Sequence, residues 1–226
     1  MFDPMSDLPL LQATGIHKSY GDVDVLKGID LTVNKAEIVS VVGASGAGKS
    51  TLLHVLGTLD RPDKGQVAME GKLISKLPAR ELAYFRNRRI GFVFQFHNLL
   101  PEFTALENVC IPGYIGKRPD KEVEARAREL LVMLGLEERL NHKPSQLSGG
   151  EQQRTAVARA LVNNPALVFA DEPSGNLDSH NAEELHKLFF DLRQEFGTGF
   201  VIVTHNPALA AMADRKLTIE DGRIKP

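Results

Sequence analysis

The stretch Glu37-Ile-Val-Ser-Val-Val-Gly43-Ala-Ser-Gly-Ala-Gly-Lys49-Ser50-Thr51 decides the fold. An apolar run of strand length enters a loop of three glycines that closes on Lys-Ser. A helical segment, TLLHVLGTL, follows at once. GxxxxGK[ST] between a buried strand and a helix is the pattern of a phosphate cradle. Its glycines let the backbone curl with N–H groups inward, and the new helix adds the positive end of its dipole. In such a loop Gly43, Ala44, Ser45, Gly46, Ala47, Gly48 and Thr51 surround the phosphates. Lys49 meets the β- and γ-phosphates, and the Ser50 hydroxyl is a magnesium ligand.

Outward from this loop, Ile90 to Phe94, Ala166 to Ala170 and Phe200 to Thr204 are again nearly continuous apolar runs. Strands without alternation belong to a parallel sheet covered by helices on both faces. Leu10 to Val33 reads differently, as short β segments punctuated by Gly21 and Gly28, which predicts an antiparallel entry sheet. Lys121 to Leu134 and Glu151 to Leu161 carry helical patterns within a long excursion between two core strands. The expected architecture is a single α/β domain with a P-loop core, an antiparallel β subdomain and an inserted helical subdomain. Approximately residues 1–94 and 160–226 form the core, and approximately residues 95–159 the insertion. After the β-like piece Lys216 to Ile219 no regulatory domain is expected.

The chain has 226 residues, 42% hydrophobic and 25% charged, as in a soluble globular protein. Its 27 basic and 29 acidic residues leave a net charge of −2, which offers no footprint for nucleic acid. A lone cysteine, Cys110, makes neither an internal bridge nor a zinc cluster, which fits a reducing, cytoplasmic setting. The opening MFDPMSDLPL lacks the basic start and apolar run of an export signal. No apolar stretch approaches the ~20 residues that cross a bilayer, so any membrane role is expected to come through a partner.

Two acids close the run ALVFADE. Asp171 is the expected second magnesium ligand, and strand alternation would leave Glu172 to polarise water. The bland alternative is a solvated acidic turn before Pro173. Leu147-Ser-Gly-Gly-Glu-Gln-Gln-Arg154 opens another helix, with Ser148 and Glu151 spaced as a capping box. Two glycines in a first helical turn cost stability, so close approach of backbone to a ligand is the reading of Gly149 and Gly150. Without a lysine or magnesium carboxylate, this half-site completes a cradle only on another copy.

GASGAGKS, Gln95, LSGGEQQR, ALVFADEP, Asp178 in SGNLD and His205 in VTHN, in this order, resemble the ATP-binding subunits of ABC transporters over nearly the whole chain. The resemblance implies ATP and Mg2+ as cofactors. It also implies a dimer of two copies, each sandwiching ATP between one copy's glycine loop and the other's Ser148, Gly149 and Gly150. It gives Gln95 a role in sensing metal and nucleophilic water, Asp178 a place at the dimer seam, and His205 a contact with the γ-phosphate. Tyr20, 23 residues before Gly43, matches the aromatic that stacks on adenine. Read alone, Gln95 is a polar strand end, Tyr20 a surface aromatic and His205 a capped histidine. An Asp often follows that histidine in the family; here Asn206 does.

The loop from Gln95 to Val109 is unusually apolar, with Phe96, Leu99, Leu100 and Phe103 beside Phe94. Some of these cap the subdomain core; a groove receiving a short helix of a membrane subunit would use the same chemistry. The wording QFHNLLPEFTALENV, with GTLDRPDKG, ALVNNP and DEPSGNLD, closely resembles cassettes of lipoprotein-releasing systems at the bacterial inner membrane. Macrolide-exporter (MacB-like) and cell-division (FtsE-like) cassettes share the SGNLD element and are the alternative. A P-loop GTPase would need NKxD and DxxG, which are absent from the sequence.

Overall fold

The computed structural model describes residues 8–225; residues 1–7 of the opening stretch read above lie outside the described residues. Strands β1 (Leu11–Tyr20) and β2 (Val23–Val33) form the expected antiparallel pair. Next come β3 (Ile38–Val42), α1 (Lys49–Leu56), β4 (Lys64–Met69), β5 (Lys72–Leu73), α2 (Ala79–Arg89) and β6 (Ile90–Phe94). Helices α3 (Ala105–Ile115), α4 (Asp120–Met133) and α5 (Gly149–Leu161) follow without an intervening strand among the described residues. The chain continues through β7 (Leu167–Asp171), α6 (Ser179–Phe196), β8 (Gly199–Val203), α7 (Pro207–Met212), β9 (Arg215–Glu220) and β10 (Arg223–Ile224).

Two sheets result, one in the order β2-β1-β4-β5 and one in the order β10-β9-β3-β8-β7-β6. In the second, β9, β3, β8, β7 and β6 run parallel. Both of its faces are buried, which explains the continuous apolar runs. Val39, Val41, Phe169 and Val201 pack with the antiparallel sheet and the buried Leu52, Leu53, Val55 and Leu56 of α1. Ile38, Val168, Ala170, Phe200 and Ile202 pack on the opposite side against residues of α3 to α6.

Register positions the chemistry. Val41 of β3 lies opposite Val203 of β8, Val203 opposite Asp171 of β7, and Asp171 opposite Phe94 of β6. The segments leaving these strands therefore emerge side by side at the carboxyl edge, where ligands bind in open α/β sheets.

Helix α5 is tied to this sheet by close approach. A Cβ on Gly91 of β6 would stand 2.6 Å from the carbonyl oxygen of Ala160 and 3.0 Å from a Val168 methyl. Val157 and Leu161 of the same helix share a core with Val109, Cys110, Val123, Ala127, Leu130 and Leu131. Gly91→Ala should therefore push α5 off β6 and destabilise the fold by about 1–3 kcal/mol, the usual cost of overpacking a core. A lowered urea midpoint is the expected outcome; an unchanged one would show that the two elements separate freely.

Candidate nucleotide site

A cleft of about 300 Å3 opens at the carboxyl edge of the parallel sheet, lined by Val25, Ser45, Gly46, Gly48, Lys49, Ser50, Thr51, Asp171, Glu172 and Val203. Gly48 caps α1 in the left-handed conformation, with φ +101°, where a side chain would strain the backbone. The space is also closed: an added Cβ would meet Leu26 at 3.0 Å and the Val25 carbonyl at 3.1 Å. Lys49 donates hydrogen bonds of 2.9 Å to the carbonyls of Gly43 and Ala44, so its ammonium holds the loop in its curl.

Asp171 is the electrostatically exposed weakness of this cleft. Its Oδ1 is buried and has no hydrogen-bond partner among the described residues. Burial pushes its carboxyl above the ordinary range, and the Ser50 hydroxyl, His54 and Lys49 offset this only in part. A buried, unpaired carboxylate oxygen next to a hydroxyl is a donor set of hard oxygens, which fits a divalent cation such as Mg2+.

Glu172 does not follow the strand alternation expected for it. It leaves β7 with φ +46°, a left-handed turn rare for a residue other than glycine, and so lines the same cleft as Asp171. Its N–H donates to the carbonyl of Val203 at 2.9 Å. Its Oε2 accepts from the backbone N–H of His205 at 3.1 Å and lies 2.8 Å from His205 Nδ1. The imidazole is otherwise 72% exposed, free to face a ligand in the cleft. Asn206, where a charge was missed, has a local role: its side chain caps α7 by accepting from the N–H groups of Ala208 and Leu209.

Ser148, Gly149 and Gly150 lie outside the cleft lining. The capping box is real: Ser148 Oγ accepts from the Glu151 N–H at 3.2 Å, and Glu151 accepts from the Ser148 N–H at 2.8 Å. That bond, with Arg139 as ion partner, holds the Glu151 carboxyl below its usual range. For Gly150 the structure supplies an internal reason, because a Cβ there would overlap the amide oxygen of Asn181. Gly149 is exposed and meets only Leu177 at 3.8 Å, so packing does not demand a glycine there. Asp178 caps α6, accepting from the N–H of Asn181 at 2.9 Å, a bond that lowers its own carboxyl.

Gln95 also lies outside the cleft lining. Its side-chain amide donates to Asn176 at 3.0 Å, while the Asn176 amide donates to the Gln95 carbonyl at 3.1 Å. The strand end of β6 is thereby locked to the segment leading to Asp178. Tyr20 is half exposed, and its hydroxyl donates to Asp60 at 2.7 Å, a bond that raises the phenol's pKa. Sequence reading missed these partners: Asp60, Asn176 and Asn181. It also missed His186, buried in α6 and 3.0 Å from Ser174 Oγ, beneath the same segment. Arg159 of α5 donates to the carbonyls of His97 and Asn98 and so fastens the apolar loop to the helix that Ser148 opens.

Comparison with known proteins bears on this geometry. Residues 26–175 match the model of the family described as ABC transporter. A protein of Cytophaga hutchinsonii named lipoprotein-releasing system ATP-binding protein LolD is 64% identical, over 95% of this chain and 98% of its own length. A Bacteroides thetaiotaomicron protein of the same name is 59% identical, over 96% and 99%. A solved ATP-binding cassette, dimeric in a post-hydrolysis state with ADP and Pi, matches with a TM-score of 0.87 at 41% identity, over 96% of this chain and 97% of its own.

The state of Asp171 gives a signed expectation. A carboxyl whose pKa is raised by folding costs stability wherever it is ionised, and the cost disappears as pH falls through the raised value. Asp171→Asn should therefore melt higher than the wild type at pH 7.5 without nucleotide, with the advantage shrinking towards pH 4, and should lose the stabilisation given by Mg2+ and ATP. A lower melting temperature for the ligand-free variant at pH 7.5 would contradict the burial argument.

Proposed function

The chain belongs to the ABC transporter family, and we propose that it is the ATP-hydrolysing subunit of a lipoprotein-releasing transporter. Two copies would work on integral membrane permeases of the LolC/LolE kind, at the cytoplasmic face of the bacterial inner membrane. The observation that carries this reading is identity above 55% with relatives named LolD along nearly the whole of both chains. Those names favour it over a MacB-like or FtsE-like role. Among the described residues no helix is long and apolar enough to cross a membrane, which supports attachment through partners.

Each residue then has a role that its surroundings support. The loop from Gly43 to Thr51 holds the phosphates through backbone N–H groups and Lys49. Ser50 and Asp171 hold Mg2+, with Gln95 as a third candidate once its bond to Asn176 opens. The bound ion supplies positive charge to the β- and γ-phosphates. Glu172 accepts a proton from the attacking water, and His205, already against Glu172, orients the γ-phosphate end. Tyr20, steadied by Asp60, offers its ring to adenine. Ser148 and Gly149 of the second copy complete the cradle from across the seam, beside Asp178. Residues 95–159 are proposed as the unit that moves with the permease.

A hollow of about 470 Å3 beside that unit supports the coupling role; Leu59, Ala83, Phe92, Phe94, Pro112 and Ile115 line its apolar part. At its margin the loop is held rigid by Arg159 and by Asn108, whose amide donates to the carbonyls of Leu100, Phe103 and Thr104. Phe96 is nevertheless 71% exposed, and Leu100 and Phe103 more than 40%. Fixed, exposed apolar groups beside a groove fit a short amphipathic helix.

In proteoliposomes holding the permeases and a lipoprotein, ATP should drive release to a soluble carrier. Phe96→Glu should bind ATP normally yet fail to co-purify with the permeases, and release should fall at least tenfold, as for loss of a buried aromatic anchor. Glu172→Gln should assemble and bind ATP but release nothing. Export of a macrolide with the lipoprotein left in the bilayer would overturn the lipoprotein reading.

A further inference from the structure

Helix α2 lies between two unlike surfaces. Ala83, Arg86 and Asn87 line the groove just described, while Leu82 is buried beneath the helix. The opposite side forms a second hollow of about 480 Å3, lined by Lys72, Arg80, Glu81, Tyr84, Phe85, Arg88 and Arg89. Residues 80, 84 and 88 recur at a spacing of four and make one helical face.

The charge of the stretch that carries this side is far from the average of the chain. Between residues 72 and 89 stand six basic residues, Lys72, Lys76, Arg80, Arg86, Arg88 and Arg89, and one acid, Glu81, in a protein of net charge −2. Two of the six are engaged internally: Arg89 pairs with Glu70, and Arg86 donates to the Thr58 carbonyl. Lys72, Lys76, Arg80 and Arg88 are exposed and take part in no ion pair among the described residues. Aromatic rings lie among them. The Arg88 guanidinium sits 4.5 Å from the centroid of Tyr84, and the Lys72 ammonium 5.8 Å from that of Phe85. Tyr84 is 55% exposed.

We propose that this face of α2, with Lys72 beside it, contacts anionic lipid headgroups of the inner leaflet. Exposed basic side chains without ion partners, gathered on one side of the helix, make a positive patch that an anionic surface complements. Arginine donors match phosphate oxygens, and an exposed tyrosine suits the boundary between headgroup and acyl chain. The face is joined to the groove through α2 itself, so a chain seated on a permease by that groove holds the patch one helix width from the docking site. A chain of net charge −2 would otherwise be repelled by an anionic leaflet, so local segregation of charge is what makes contact favourable. The orientation rests on the proposed permease docking; the headgroup chemistry does not.

The test uses the full chain without permeases, so that failure of the lipoprotein reading leaves it standing. Sedimentation is measured with vesicles of phosphatidylcholine alone and with one-third phosphatidylglycerol. The wild type should pellet with the anionic vesicles only, and less as salt screens the charges. Arg80→Gln with Arg88→Gln should weaken binding about 30-fold, at about 1 kcal/mol for each basic residue near an anionic surface. ATP turnover by the variant should be unchanged. Equal pelleting with both vesicle types, or equal binding by variant and wild type, would overturn the proposal. So would absence of vesicle binding together with loss of permease association by the variant, which would make the patch a protein contact.

Discussion

One transverse row of backbone partners governs the reactive end of the molecule. Val41, Val203, Asp171 and Phe94 lie opposite one another across four parallel strands. The glycine loop leaves one end of this row and Gln95 the other, with Glu172 and His205 between. A slip of one residue in any pairing would turn that strand's side chains to the other face. Both faces are buried in separate cores, so such a slip is strongly opposed. Catalytic precision is thus inherited from packing of valine, isoleucine and phenylalanine rather than built by the reactive groups themselves.

The reactive groups, by contrast, are held at a cost. Asp171 keeps a buried oxygen unpaired among the described residues, and Glu172 stands at a positive φ. Both features disfavour the ligand-free fold, and both suit a site completed by a divalent ion and phosphate. The signature segment, Leu147 to Arg154 with its LSGGE run, shows the reverse arrangement. Its capping box is satisfied internally, yet Gly149 stays bare at the surface, away from its own chain's cleft. Two half-sites on one chain, neither touching the other, ask for a second copy.

Much of this was legible in the sequence, for a physical reason. Strands buried on both faces admit few polar positions, Ser40 of β3 being one that finds a carbonyl partner, so Ile90 to Phe94 was delimited by its apolar run alone. The glycine loop and the capping box announce themselves because their parts are neighbours in the chain. What escaped is contact at long range. Gln95 and Asn176 are 81 residues apart, and Tyr20 and Asp60 are 40 apart. No periodicity links such pairs. For Gly150 the internal reason for a glycine is invisible in the sequence, because nothing in its vicinity announces Asn181, which folding brings against it. Glu172 was assigned by strand alternation that ends one residue before it. The basic face of α2 is diluted in the composition of the whole chain and emerges only when the helix shows which side is exposed.

The central claim is that neither half-site works alone, and mixing two crippled chains tests it most directly. Lys49→Ala removes the cradle's lysine and leaves the signature; Ser148→Arg blocks the signature and leaves the cradle. Each variant by itself should be inactive. Mixed at a concentration where the wild type hydrolyses ATP, they can form a heterodimer with one intact composite site, and ATPase activity should reappear. A mixture as inactive as its components would mean that the two half-sites do not meet across a dimer, and the account would fail.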